Sequence, residues 1–358
     1  LITNYRPISL LPNFSKFFER MIHYRITAFL NEHNILSDSQ FGFRKKHSTS
    51  LALIHLMNML STSIDNGKPT IGVFLDLSKA FDTLDHNILV SKLECYGIRG
   101  LCLDWIKSYL TNRKQFVQFN DSVSTEQIIT CGVPQGSILG PLFFILYIND
   151  FPKIFELANS MLFADDTSIF LSHKNPDQLV DLLNKELKLV DLWMKTNKLS
   201  VNIKKTNFVL FKPRQKHIFL SSPILYSNCP LEQKLSTKFL GVFIDDHFTW
   251  KHHINYICNK ISKSVGLLYK SRFFLTQKSK ISLYYSLVYP YIQYCNIIWS
   301  STYPSSLNRI LLLQKRIIRI VANADYLSHT KPLFKNLKIL DIFNLNTFSI
   351  VCFMFQYH

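Results

Sequence analysis

Acidic residues run short in the second part of this chain. Residues 201–358 hold 5 Asp and Glu against 21 Lys and Arg, a balance of +16, whereas residues 1–200 hold 19 against 20. The net charge of +17 is therefore concentrated in one region, as a surface for a polyanion would require. A solubilising charged face is the plain alternative. Paired cysteines are lacking too: the seven are odd in number, scattered and never in a CxxC pair. Neither a disulfide framework nor a zinc site follows from that spacing, and reduced thiols in an intracellular protein are expected. Long apolar runs are missing. The most apolar tract, 141–148, falls far short of the roughly 20 residues that span a bilayer, so no membrane association is expected. No charged segment leads into an apolar one as in a signal peptide, and no fixed-period repeat occurs.

What is present is 358 residues that are 47% hydrophobic, enough for sizeable cores and two or three domains. The chain opens and closes within apolar, ordered-looking sequence and reads as an internal piece of a longer polyprotein-like chain. Helical spacing runs over 15–33 and 49–65, the second ending at Asn66-Gly67. TIGVFLDL, 70–77, reads as a buried strand, 87–96 and 102–111 as helices, and 114–120 with 122–130 as a hairpin. CGVPQGS then turns into an apolar helix over 138–148. Residues 177–195 form an amphipathic helix capped near Asn175 and Asp177, with Leu179, Leu182, Leu183, Leu187 and Val190 on one face. TNFVLFK and KFLGVFID are further strands, and from 251 onward the pattern is helical and basic. The fold class is α+β with a helical, basic appendage.

MLFADDTSIF, 161–170, sets Asp165 and Asp166 in an apolar run, where a lone carboxylate is costly without a counter-charge. Its flanks are strand-like, which places the two acids at a two-residue hairpin turn. Asp76 ends the strand within FLDLSKAFD. Acids from neighbouring strand ends can hold two divalent ions roughly 3.5–4 Å apart for in-line phosphoryl transfer, and Mg²⁺ suits all-oxygen ligands. A solvated turn is the other reading of the pair, since Asp is common in turns.

The order of motifs decides between them. NYRPISLLPNFSKFFERMI (4–22), QFGFRKKHST (40–49), FLDLSKAFDTLDH (74–86), GVPQGSILGPLFFILYINDF (132–151), FADD (163–166), LSVNIKKT (199–206) and KFLGVFID (238–245) follow one another as in the reverse transcriptases of jockey-like non-LTR retrotransposons, which this chain resembles. The resemblance implies a right-hand polymerase: fingers and palm over 1–250, with an antiparallel palm sheet packed on helices, and over 251–358 a helical thumb with the start of a truncated C-terminal region. It implies two Mg²⁺ ions, with Mn²⁺ as substitute, held by Asp76, Asp165, Asp166 and the backbone carbonyl of Leu77. Of the acids, Asp166 is the less direct ligand.

Phe81 matches the bulky residue beneath the nucleotide sugar, which excludes a 2′-hydroxyl by shape. Gln135 and Gly136 match the loop beside the template base, and Lys205 a lysine that assists pyrophosphate departure. Arg6, Arg44 and Lys45 match the fingers, where guanidinium groups meet phosphates of template or nucleotide. Gly241 lies in the hairpin that supports the primer end. Lys260 and Lys263, interleaved with Tyr256, fit a thumb that grips the template–primer duplex by its phosphates. The one departure is Phe163, where many members carry Tyr.

The implied partners are an RNA template, a DNA primer or nicked target DNA, and dNTPs, with the nicking endonuclease on a missing part of the full-length chain. The resemblance implies work in the nucleus and passage through the cytoplasm as a ribonucleoprotein, neither of which is derivable from this sequence. A catalytically silent nucleic-acid-binding remnant is the alternative, favoured by missing ends and opposed by intact acids. An RNA-copying RNA polymerase is opposed by Phe81.

Overall fold

A computed structural model describes residues 8–216 and 218–357; Arg6 lies outside the described residues. The chain divides into two units, Leu1–Ser48 with Asn58–Lys234, and Thr49–Met57 with Leu235–His358.

The first unit is built on a five-stranded sheet. Thr70–Asp76 lies at its centre, between Asp166–Ser172 and Asn207–Phe211, with Asn159–Phe163 and the short Glu232–Gln233 at the edges. All pairings are antiparallel except that of Glu232–Gln233 with Asn207–Phe211. Every residue of the central strand is buried until Asp76, which is why it reads as an unbroken apolar run. Gly72 sits mid-strand because a Cβ there would come within 2.8 Å of the Phe170 ring and 2.9 Å of the Phe211 ring. Both neighbouring strands thus fill the space of the absent side chain.

Leu139–Tyr147 is apolar all round and buried, as a helix must be when it has no polar face. Pro176–Thr196 begins where expected: Asn175 Oδ1 accepts from the backbone N–H groups of Asp177 and Gln178, and Pro176 takes the first helical position. Its face of Leu179, Leu183, Leu187 and Val190 is buried, with Leu182 partly so. His86–Cys95 and Leu101–Leu110 form close to their expected places. The hairpin over 114–130 differs. It pairs only in two short steps, Lys114–Gln115 with Gln127–Ile128 and Gln118–Phe119 with Ser122–Val123, all exposed. Its apolar residues have no facing layer to hold a longer ladder.

The second unit opens with the hairpin Ser236–Phe239 and Val242–Asp245. Leu240 and Gly241, its two turn residues, have φ of 46° and 81°, the twist-matched geometry of a two-residue hairpin. A Cβ on Gly241 would meet the Tyr294 ring at 3.0 Å, and Tyr294 Oη donates to Leu240 O at 2.7 Å. The buried Asp245 carboxylate accepts from the N–H groups of Thr249 and Trp250 at 2.8 and 2.7 Å, capping the entry to helix Lys251–Ser271. Six further helices follow, the longest being Pro304–Val321 and Ile342–Tyr357. All seven cysteines are free thiols. Among the described residues no single helix is long and apolar enough to cross a membrane; Thr330–Leu337 and Ile342–Gln356 reach that length only as a pair bent by 42°.

His253 is 3% exposed; its Nδ1 accepts from Phe243 N at 3.3 Å and its ring packs against Trp299. Burial, aided by the charge of Lys238, pushes its pKa down from 6.5 to about 4. The unfolded chain therefore binds a proton that the folded chain rejects between those values. Stability is expected to fall as pH drops from about 6.5 toward 4, by up to about 3 kcal/mol. Thermal melts of the parent and of His253→Gln across that range should show the variant losing less; parallel pH dependence in both would assign the loss to other groups.

Candidate active site

Asp76 is the last residue of the central strand and pairs directly with Asp166, the first residue of Asp166–Ser172. Directly opposed residues project on the same face of a sheet, with Cβ atoms roughly 5 Å apart. Two carboxylates therefore face one another at the sheet end, with Asp165 in the adjoining turn. The turn itself is Ala164-Asp165, because Asp166 already pairs with Phe163. The hairpin is thus set one residue earlier than its apolar pattern suggests.

Ala164 carries the strained position, with φ of 56°. Its surroundings hold it there. Residues 39–41 run alongside the edge strand, with Leu162 N donating to Ser39 O and Phe41 N to Leu162 O. Gln40, fully buried, accepts through Oε1 from Gly42 N at 2.8 Å and from Ala164 N at 3.3 Å. Gly42 is required by this closeness: a Cβ there would stand 2.4 Å from Ala164 N. The sequence pattern did not single out Gln40 and Gly42; the only signal was a Gln and a Gly among the aromatics of QFGF.

On the other edge, LSVNIKKT closes against the strand end. Asn202 N donates to Asp76 O at 2.7 Å, Ser78 N to Ser200 O at 2.8 Å, and Asp76 N to Thr206 Oγ1 at 3.2 Å. These bonds turn the backbone groups of Asp76 toward residues 200–206. Alternation along a strand then turns the Leu77 carbonyl to the opposite edge, the side of Asp165 and Asp166. Lys205 Nζ lies 3.9 Å from Asp76 Oδ2, with the lysine 71% and the aspartate 44% exposed. So exposed a pair adds little to stability.

The donors are all oxygen and partly open, which fits a hard divalent cation that completes its shell with water and substrate phosphates. Among the described residues no three His, Cys, Asp or Glu side chains close into a metal cage. The carboxylates would be joined by the Leu77 carbonyl.

A second cluster joins the loop after Asp76 to GVPQGS. Val133 N donates to Phe81 O, Gly132 N to Leu84 O, and Gln135 Nε2 to Asp82 Oδ1 at 2.8 Å. Gly132 has φ of 81°, and a Cβ there would meet Asp82 O at 2.5 Å. Gly136, at φ of 111°, faces Ser9 O, and Ser9 N donates to Gln135 O. Phe81 is half-buried, its ring 4.6 Å from that of Phe144.

Behind the loop stands Glu19, 1% exposed, which composition alone did not mark. Its carboxylate accepts from Ile138 N at 2.6 Å and Leu139 N at 3.4 Å, at the start of helix Leu139–Tyr147, and from Tyr109 Oη at 2.9 Å. A helix N-terminus is a favourable place for an anion. Burial first, and then the Glu19 charge, raise the Tyr109 hydroxyl to about 12.

The remaining residues lie elsewhere. Arg44 Nη1 donates to Ser37 O at 2.7 Å and Gln40 O at 3.3 Å, bracing its own loop, while Lys45 is exposed. Gly241, Lys260 and Lys263 belong to the second unit; Lys260 Nζ lies 5.5 Å from the centre of the Tyr256 ring.

A reverse transcriptase (RNA-dependent DNA polymerase) family model matches residues 2–244, and the chain belongs to that family. It is 30% identical over 348 residues to the probable RNA-directed DNA polymerase from transposon X-element of Drosophila melanogaster, covering 95% of this chain and 38% of that protein. To the RNA-directed DNA polymerase from mobile element jockey of the same species it is 28% identical, over 94% and 38%. The chain thus spans well under half the length of these relatives. Among solved structures, telomerase from Candida albicans is similar with a TM-score of 0.47 and 12% identity, over 90% of this chain and 58% of that one.

Gly42→Ala should force the 39–42 segment off the Ala164-Asp165 turn, because the clash is with backbone. A destabilisation of about 1–3 kcal/mol is expected, read as a lower melting midpoint. An unchanged midpoint would mean that the segment moves away from the turn freely.

Proposed function

We propose that this chain is the polymerising part of a non-LTR retrotransposon reverse transcriptase, adding dNTPs to a primer 3′-hydroxyl on an RNA template. The observation that carries this reading is the pairing of Asp76 with Asp166 beside Asp165 at a strand end. Two Mg²⁺ ions, with Mn²⁺ as substitute, fit the oxygen donors of Asp76, Asp165, Asp166 and Leu77. Ions bound there supply activation of the attacking hydroxyl and stabilisation of the leaving phosphate.

The chain's own residues do the rest. Phe81 closes the space beneath the sugar, supported from behind by Phe144. Gln135, steadied by Asp82, presents its loop to the templating base, with Gly136 allowing close approach. Lys205 stands beside Asp76, where it can donate a proton to departing pyrophosphate. Arg6, Arg44 and Lys45 serve the fingers, though Arg44 also braces its own loop. In this reading residues 1–250 are fingers and palm and 251–358 are thumb, where Lys260 and Lys263 hold duplex phosphates and Gly241 shapes the hairpin under the primer end. DNA, either a primer or a nicked target, is the second substrate, with the nicking endonuclease on another part of the full-length protein.

Primer extension on an RNA template with Mg²⁺ and dNTPs tests this directly. Asp165→Asn should lower extension by roughly two to three orders of magnitude while leaving template–primer binding intact. A parent that folds and binds but does not extend would favour a silent remnant. Phe81→Val should relax discrimination against rNTPs by roughly 10- to 100-fold; unchanged discrimination would remove Phe81 from its assigned role.

A further inference from the structure

The second unit holds a cleft lined by none of the residues assigned to the proposed reaction. Helices Lys251–Ser271 and Pro304–Val321 run side by side in parallel. Arg309 Nη1 donates to Asn255 Oδ1 at 2.7 Å near their starts, and their last turns line a cleft of about 450 Å³. Arg272, Arg316 and Arg319 line it together with Tyr269, Phe273 and Tyr326. The three rings are 55%, 81% and 74% exposed.

These groups are already arranged. The Arg272 guanidinium lies 3.8 Å from the centre of the Tyr269 ring and 4.2 Å from that of Phe273, and that of Arg319 lies 5.9 Å from Tyr326. Arg272 Nη1 donates to Tyr269 O and Arg319 Nε to Ser328 O, which fixes both forks while most of their five donors remain for a ligand. Fully buried Lys280 donates to Asn323, another residue of the cleft. Among the described residues none of the three arginines forms an ion pair with a carboxylate. Residues 251–330 contain 11 Lys and Arg but a single acid, Asp325.

Complementing the helix C-termini would account for basic residues in those last turns. It would not account for three exposed rings laid among them. Aromatic faces beside guanidinium forks suit bases and phosphates together. We infer that this cleft holds an unpaired stretch of nucleic acid, its bases stacked on Tyr269, Phe273 and Tyr326 and its phosphates held by the arginines. Duplex is not the fitting ligand, because its bases are stacked on one another and hidden from such rings. The inference stands whether or not the carboxylate site turns over.

The test is fluorescence anisotropy of the full chain with a labelled single-stranded RNA decamer and with an abasic decamer of equal length. The parent should prefer the base-bearing strand by about tenfold. Phe273→Ala combined with Tyr326→Ala should erase that preference and leave abasic binding unchanged; both rings are exposed, so the fold should survive. Arg316→Gln should weaken both strands and flatten their salt dependence. Equal affinity of the parent for the two decamers, or a preference that survives in the double variant, would overturn the assignment. Stronger binding of a glutamate-rich peptide than of RNA would overturn it in favour of a protein partner.

Discussion

The site depends on one strand register. Thr70–Asp76 and Asp166–Ser172 pair from Thr70 with Ser172 to Asp76 with Asp166. A slip of one residue would turn one set of side chains to the other face and separate the carboxylates. Gly72 makes such a slip costly, because only at that position can the Phe170 and Phe211 rings close over the strand without clash. The apolar sheet therefore fixes two like charges opposite each other, an arrangement that is destabilising by itself. The sheet's burial holds the two in place, and a cation bound between them would relieve the repulsion.

Around that register the structure spends polar groups where the chain most needs rigidity. Gln40 and Gly42 brace the acidic turn from one side, and Thr206 and Asn202 hold the end of the central strand from the other. Glu19 ties the first helix to the helix that follows GVPQGS. None of these need touch a substrate. Each limits how far the backbone around the three carboxylates can drift.

The fold was legible in the sequence wherever local pattern and burial agree. The central strand is apolar because both its faces are covered, and Pro176–Thr196 announces its start with Asn175 and Pro176. The order of motifs made Asp76, Asp165 and Asp166 visible as a set. The exact turn was not visible, because Ala164 takes a left-handed φ that its own sequence gives no reason to adopt; its reason lies more than 100 residues away in Gln40 and Gly42. Glu19 was hidden for the same reason, its partners Tyr109, Ile138 and Leu139 being distant in the chain. The short ladder over 114–130 shows the converse: alternation was present, but with no layer to cover it the pairing stays fragmentary.

The order of strands in the sheet also governs how the molecule is made. Thr70–Asp76 leaves the ribosome before either of its neighbours, Asp166–Ser172 and Asn207–Phe211. Until the chain has grown past residue 211 the central strand has at least one open edge, and before residue 166 it has two. An apolar strand waiting that long is slow to fold and exposed to pairing with other chains. Nascent chains that stop short of the second neighbour thus leave an apolar strand with an unpaired edge, open to pairing with other chains.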